Sequence, residues 1–210
     1  MKSNMARGNL ILIEGLDRSG KTTQTTRLVE TLQRKGKEVE LIKFPDRTTP
    51  IGRLINAYLV DKSFQLSDQS AHLLFSANRW ELAEQIKQKL ENGTNIILDR
   101  YVYSGIAYTA AKGLDFQWCK NCDIGLPKPD LIIFLNLINN ETRSGFGDER
   151  YEIKSFQEKV KTQFELFFNE QNWHTIVVDH QTIEQVEDKV WKLVFPLVDH
   201  ETTTPIDLFK

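Results

Sequence analysis

One stretch of this 210-residue chain has the residue types and spacing to bind a triphosphate. Gly15-Leu16-Asp17-Arg18-Ser19-Gly20-Lys21-Thr22 reads G-x-x-x-x-G-K-T and follows the apolar run Leu10-Ile11-Leu12-Ile13. The pattern carries weight only in context: a buried strand, a glycine-bearing turn, then a helix that opens at the lysine. In that setting the turn's N–H groups face one centre, and the helix dipole points at the same anion. Both flanks are present, so residues 15–22 are expected to form a phosphate-binding loop. Gly15, Arg18, Ser19, Gly20, Lys21, Thr22 and Thr23 are the expected ATP contacts. Lys21 would reach the β- and γ-phosphates, and the Thr22 hydroxyl would ligate Mg2+.

A second chemical signal is carboxylate and arginine placement. Asp99 closes the apolar run Ile96-Ile97-Leu98. At the C-terminal edge of a buried strand it can hold Mg2+, directly or through water; the competing role is a helix N-cap. Arg18 lies inside the loop, Arg47 ends Phe44-Pro45-Asp46-Arg47, and Arg100 directly follows Asp99. Phosphoryl transfer needs such convergence, because charge spreads over several oxygens and little covalent chemistry remains to be done. Guanidinium groups on the acceptor side point to an acceptor that is itself anionic, a nucleoside monophosphate. Phe75 and Arg79 lie one helical turn apart, so one ring can stack on a base while the guanidinium donates to a base carbonyl.

The elements that must position these groups follow from hydrophobic pattern. Five apolar runs are predicted as buried strands: Leu10–Glu14, Val39–Phe44, Asn95–Asp99, Leu131–Leu135 and Thr175–Val178. They alternate little, as strands of a parallel sheet covered on both faces do. Helices are predicted between them, over Thr22–Arg34, Gly52–Leu59, Asp68 to about Asn92, Tyr103–Lys112, Phe156–Asn169 and Glu184–Val194. Gly36 and Gly93 stop two of them and Pro196 closes the last. On the long helix Leu73, Ala77, Trp80, Ala83 and Leu90 form the expected buried stripe. Phe156, Val160, Phe164, Phe167 and Phe168 form another. Strand–helix alternation gives a doubly wound α/β fold in one domain over residues 1–210. Residues 139–150 are polar and glycine-bearing, with Arg143 and Arg150, and suit a lid.

Composition excludes some classes. The formal net charge is −2, so no global basic excess points to nucleic acid. Residues 1–9 are polar and lack the apolar core of a signal peptide. No apolar run is long enough to span a membrane. Cys119 and Cys122 form a C-x-x-C without the further ligands zinc needs, so they are expected to be structural. His72, His174, His180 and His200 are scattered.

Beyond the loop, several motifs together resemble the thymidylate kinases, within the P-loop nucleoside monophosphate kinases. They are Glu14 to Thr22, Phe44-Pro45-Asp46-Arg47, Phe75 to Glu81, Asp99-Arg100-Tyr101 with Ser104-Gly105 and Tyr108, Gly125 to Asp130, and Phe146 to Glu152. The resemblance covers nearly the whole chain. It implies a five-stranded parallel sheet flanked by helices on both faces, and the reaction ATP + dTMP → ADP + dTDP with Mg2+. It also implies a homodimer with a cytoplasmic or nuclear home. By the same resemblance Asp17 would bind the deoxyribose 3′-hydroxyl, and Arg47 and Arg100 would hold the acceptor phosphate. Phe75 would stack on thymine and Arg79 would reach its O4. Tyr101 would crowd the 2′ position, and Ser104, Gly105 and Tyr108 would line the base pocket. Phe44 and Pro45 would be joined by a cis peptide that shapes the phosphate pocket. Arg18, Lys21, Asp17, Arg100, Arg143 and Arg150 are the expected catalytic groups, with Arg18 placed as in the eukaryotic and poxviral type. Two other readings stay open here: a deoxynucleoside kinase with Asp46 as base, and a regulatory P-loop ATPase.

Overall fold

The structure, a computed structural model, describes residues 6–138 and 150–210. Among these, five strands form one parallel sheet: β1 (Leu10–Gly15), β2 (Val39–Lys43), β3 (Asn95–Asp99), β4 (Leu131–Asn136) and β5 (Trp173–Val177). Their order is β2-β3-β1-β4-β5. The central strands are runs of Leu and Ile because both faces are covered. Leu10 and Leu12 pack with one core, and Ile11 and Ile13 with the other.

Helices α1 (Lys21–Arg34) and α7 (Ile183–Val198) cover the Ile11 face through Leu28, Leu32, Val186, Val190 and Val194. The Leu10 face is covered by α3 (Asp68–Glu91), α4 (Val102–Ala110) and α6 (Lys154–Glu165). The remaining helices are α2 (Pro50–Val60) and α5 (Phe116–Asn121). Parallel register sets Ile13 of β1 against Asp99 of β3 and Gly15 against Leu135 of β4. The turn after β1 and the end of β3 therefore emerge at one edge of the sheet, where ligands of open α/β folds gather.

Four expectations from pattern are corrected. Leu73 and Trp80 of α3 are about half exposed and Ala77 is only partly buried. The buried face instead runs through His72, Ser76, Arg79, Ala83, Ile86 and Leu90. Its first half is polar because it borders a cavity rather than the core. Pro196 lies inside α7 and does not close it. Two residues from the helix end its missing N–H costs a single bond, and Asp199 still donates to the Phe195 carbonyl at 3.0 Å. β5 begins at Trp173, two residues before the predicted start, and α6 ends at Glu165, so Phe167 and Phe168 pack from the turns beyond it.

Candidate active site

The turn between β1 and α1 is built by two glycines with different reasons to be there. A Cβ at Gly15 would fall 2.5 Å from the Ser19 hydroxyl and 2.7 Å from the Leu135 carbonyl oxygen, so close approach demands glycine. Gly20 has open space but φ 92, the left-handed region that glycine enters cheaply. It precedes α1 without any side-chain cap, which leaves the helix N–H groups directed at the cavity.

Lys21 is buried and its Nζ donates to the Leu16 carbonyl at 2.6 Å. Burial first, and then the Arg100 charge, push its pKa down to about 8, against the pull of Asp17, Asp99 and Glu14. The Thr22 hydroxyl donates to Asp99 Oδ2 at 2.8 Å, joining the two residues expected to hold a metal. Asp99 is not a helix cap. The Ncap residue of α4 is Tyr101, and it is Glu14 that accepts from the Tyr101 and Ser104 N–H groups, each at 3.0 Å. Glu14 also accepts from the Ser104 hydroxyl at 2.7 Å. Burial raises its pKa, and Arg100 together with these donors opposes the rise.

Asp17 is the hub of the loop. Its carboxylate receives the Arg100 guanidinium, the Tyr108 hydroxyl at 3.1 Å and the Gln157 amide at 2.8 Å. Burial alone would raise the Asp17 carboxyl; Arg100, Lys21 and these donors outweigh it and hold the carboxyl below its ordinary range. Arg100 also donates to Gly15 O at 3.3 Å and to Ser104 Oγ at 3.1 Å. Arg18, within the loop, lies 3.8 Å from the Glu152 carboxylate. Arg18 and Arg100 both stand at positive φ, 63 and 68.

From this edge a cavity of about 730 Å3 runs past Phe44, Arg100 and Tyr101 to Phe75, Arg79 and Gly105. At its far end Arg79 is almost wholly buried and paired with Asp123, Nε to Oδ1 at 3.0 Å and Nη2 to Oδ2 at 2.6 Å. Gly105 is required there, since a Cβ would lie 2.7 Å from Arg79 Nη2 and 2.8 Å from Nη1. The buried Tyr101 hydroxyl, on the same wall, finds no hydrogen-bond partner among the described residues. Near Phe44 the Phe44–Pro45 peptide is cis, as expected. Asn78 brackets the next residue, accepting from Asp46 N–H at 2.8 Å and donating to its carbonyl at 3.1 Å. Arg47 donates to Asn56 Oδ1 at 3.0 Å. The Asp46 carboxylate accepts from the Thr48 N–H at 2.9 Å and hydroxyl at 2.7 Å, an arrangement that fixes a turn.

Arg18, Lys21, Thr22, Asp99 and all the residues expected to meet dTMP line one cavity, whereas Gly15, Ser19, Gly20 and Thr23 do not line it. Arg150 does not reach the loop. Its guanidinium is held by the carbonyls of Tyr58 at 2.9 Å, Asp61 at 3.0 Å and Phe64 at 2.8 Å, and stacks 4.2 Å from the Tyr58 ring. Arg143 and most of the expected lid, residues 139–149, lie outside the described residues. Among the described residues no group of three or more His, Cys, Asp or Glu is arranged to hold a metal. Cys119 is buried on α5 and Cys122 partly so; both are free thiols. Sequence reasoning missed Glu14, Asn78, Asp123 and Gln157 as site residues. Gln157 had a signal, a polar residue on the Val160–Phe164 stripe, and Glu14 is a carboxylate directly after the apolar run Leu10–Ile13. Asp123 had none, because nothing in its spacing ties it to Arg79.

Comparison with known proteins agrees with this geometry. A family model described as thymidylate kinase matches residues 13–190. A thymidylate kinase of Schizosaccharomyces pombe is 50% identical over 206 residues, covering 95% of this chain and 98% of that protein. One from Danio rerio is 47% identical over 204 residues, covering 95% and 96%. The solved thymidylate kinase of Candida albicans superposes with a TM-score of 0.89 at 48% identity, over 98% of this chain and 99% of that one.

Proposed function

The chain belongs to the thymidylate kinase family, and from that premise we propose how its own residues carry the reaction. It is an ATP-dependent phosphotransferase that converts dTMP to dTDP. The observation that carries the residue assignment is the single cavity joining Lys21 and Asp99 at one end to Phe75 and Arg79 at the other, with Arg100 between.

In this reading the loop N–H groups and Lys21 bind the ATP phosphates, helped by the uncapped start of α1. The neighbouring Thr22 hydroxyl and Asp99 carboxylate are hard oxygen donors of the kind Mg2+ takes, and two protein ligands suffice when phosphates supply others. Mg2+ held there would neutralise phosphate charge as the phosphoryl group is transferred. At the other end Phe75 stacks on thymine, Arg79 donates to O4, and Tyr101 limits space at the sugar 2′ position. Ser104, Gly105 and Tyr108 complete the wall. Asp17, ringed by donors and held ionised, accepts from the sugar 3′-hydroxyl. Arg47 and Arg100 hold the acceptor phosphate. That phosphate is already an anion, so no general base is needed, and Asp46, engaged by Thr48, is poorly suited to be one. Catalysis is then alignment plus charge: Arg18, at the centre of the loop, stabilises the phosphoryl group in transfer.

Arg150 serves in this account as the anchor of the segment beyond the lid, and Arg143 is the remaining lid arginine. A homodimer fits the four large apolar side chains that α2 and α3 leave exposed, Leu54, Val60, Leu73 and Trp80. No helix among the described residues is long and apolar enough to cross a membrane. An ADP-release assay with dTMP, dUMP, dGMP, thymidine and no acceptor tests the assignment. Release is expected to be fastest with dTMP and slow with ATP alone. Stimulation by thymidine in place of dTMP would reject an acceptor site built for a phosphate.

A further inference from the structure

Arg79 can report a base carbonyl only if its guanidinium is held still, and what holds it is Asp123. The pair uses the Nε–Nη2 edge. That leaves the Nη1–Nη2 end against Gly105 at the cavity wall. Asp123 itself is fully buried, so the pair is worth its desolvation only when geometry is tight. Yet Asp123 sits on irregular backbone between α5 and β4, where no helix or sheet ladder fixes it.

Two clamps fix it instead. From α3, the Ser76 hydroxyl donates to Asp123 Oδ1 at 2.8 Å and to Cys122 O at 3.0 Å, and Trp80 Nε1 donates to Cys122 O at 3.0 Å. The second clamp comes from the segment after α7. Gly125 N–H donates to Phe209 O at 2.9 Å, Phe209 N–H to Leu126 O at 2.9 Å, and Lys128 N–H to Asp207 O at 2.9 Å. Leu208 forms an antiparallel bridge with Pro127. The Phe209 ring is 3% exposed and meets Tyr103 edge to face at 5.7 Å. Only two residues separate Asp123 from Leu126, and Leu126 N–H donates back to Asp123 O at 3.2 Å. Gly125, at φ 99, lets the loop turn beneath Trp80, where a Cβ would lie 3.3 Å from the indole.

We propose that Asp123 is the positioning residue for base recognition, and that the Ile206–Phe209 segment is a remote specificity strap acting through it. The proposal rests on the reading of Arg79 as the group that meets the base at position 4. Loosening the strap lets the Asp123 loop shift, and the free end of Arg79 shifts with it. Recognition of a 4-carbonyl then weakens, while the phosphate loop, on the far side of the cavity, keeps its ATP affinity.

The probe is a ligand pair that differs at the recognised edge, dTMP and 5-methyl-dCMP, with Kd measured by calorimetry for each. In Phe209→Ala and in Asp123→Asn the ratio of the two Kd values is expected to fall on the order of tenfold, with Kd for ATP unchanged. Phe209→Leu, which keeps apolar volume, restores most of the ratio. The double variant should discriminate no worse than Asp123→Asn alone, although thermal stability falls further, since a purely structural role would not produce that saturation. A ratio within twofold of the parent in both Phe209→Ala and Phe209→Leu overturns the strap. Additive losses of discrimination in the double variant overturn its action through Asp123. Arg79→Ala separates the levels: a lost ratio there with an intact one in Phe209→Ala rejects the strap only, whereas an unchanged ratio in Arg79→Ala rejects the base reading and the strap with it.

Discussion

Arg18 and Arg100 hold the left-handed backbone conformation at φ 63 and 68, which a residue with a Cβ adopts at a cost on the order of 1 kcal/mol or more. Strain of this kind persists where the surroundings over-determine it. Arg100 is tied to Asp17, Gly15 O and Ser104, and behind them Glu14 fixes the start of α4. Arg18 lies on the turn between two required glycines. If its guanidinium meets the transferring phosphoryl group, Arg18→Ala should lower kcat by about two to four orders of magnitude while dTMP affinity changes little. Turnover within a few-fold of the parent, measured by coupled ADP release, would remove Arg18 from the chemistry. Lys21 offers a pH test. Its pKa of about 8 lies below the free-lysine value of 10.5, so between them the folded chain carries fewer protons than the unfolded one, and this group's contribution to stability grows with rising pH. A bound triphosphate favours the charged amine and raises that pKa. Calorimetry near pH 8.5 in buffers of different ionisation enthalpy should therefore show net proton uptake on ATP binding. Uptake absent in the parent, or persisting unchanged in Lys21→Met, would contradict the assignment.

At the scale of elements, what was legible in the chain depended on how uniform each environment is. β1, β3 and β4 are buried on both faces, so apolar runs of Leu and Ile, with Phe134 in β4, mark them to within a residue. β5 is an edge strand with three exposed residues, and it starts two residues before its apolar pattern does. The buried face of α3 departs from its apolar pattern because its two halves have different neighbours: Ala83, Ile86 and Leu90 meet the core, whereas His72, Ser76 and Arg79 meet the cavity and its supports. Leu73 and Trp80 looked like core and are outward. Leu54 and Val60 of α2 are exposed as well, and the proposed dimer would cover apolar groups of this kind. Leu73→Arg is expected to shift the solution mass, by light scattering after size exclusion, from two chains to one. A parent protein that already runs as a single chain at micromolar concentration would refute the dimer.

Over the whole molecule, the phosphate loop and the alternation of strands and helices are readable because local spacing encodes them, whereas the sheet order β2-β3-β1-β4-β5 is not. Nor are the partners that make the loop work. Gln157 reaches Asp17 across 140 residues of sequence, and Asp123 reaches Arg79 across 44. Arg150, which stands at the edge of the expected lid, donates to carbonyls of residues 58–64. Such pairings are set by which elements the sheet order brings together, and no local pattern contains that. The fold converts these distant pairs into one cavity with a donor end and an acceptor end, and the central claim is that a phosphoryl group crosses it from ATP to the phosphate of dTMP. A single-turnover experiment with γ-labelled ATP, enzyme in excess and dTMP present, tests this most directly. The account predicts that the label appears in dTDP, on the phosphorus that was added, with little inorganic phosphate. Label released as inorganic phosphate at the same rate with and without dTMP, or transferred to thymidine in preference, would contradict it.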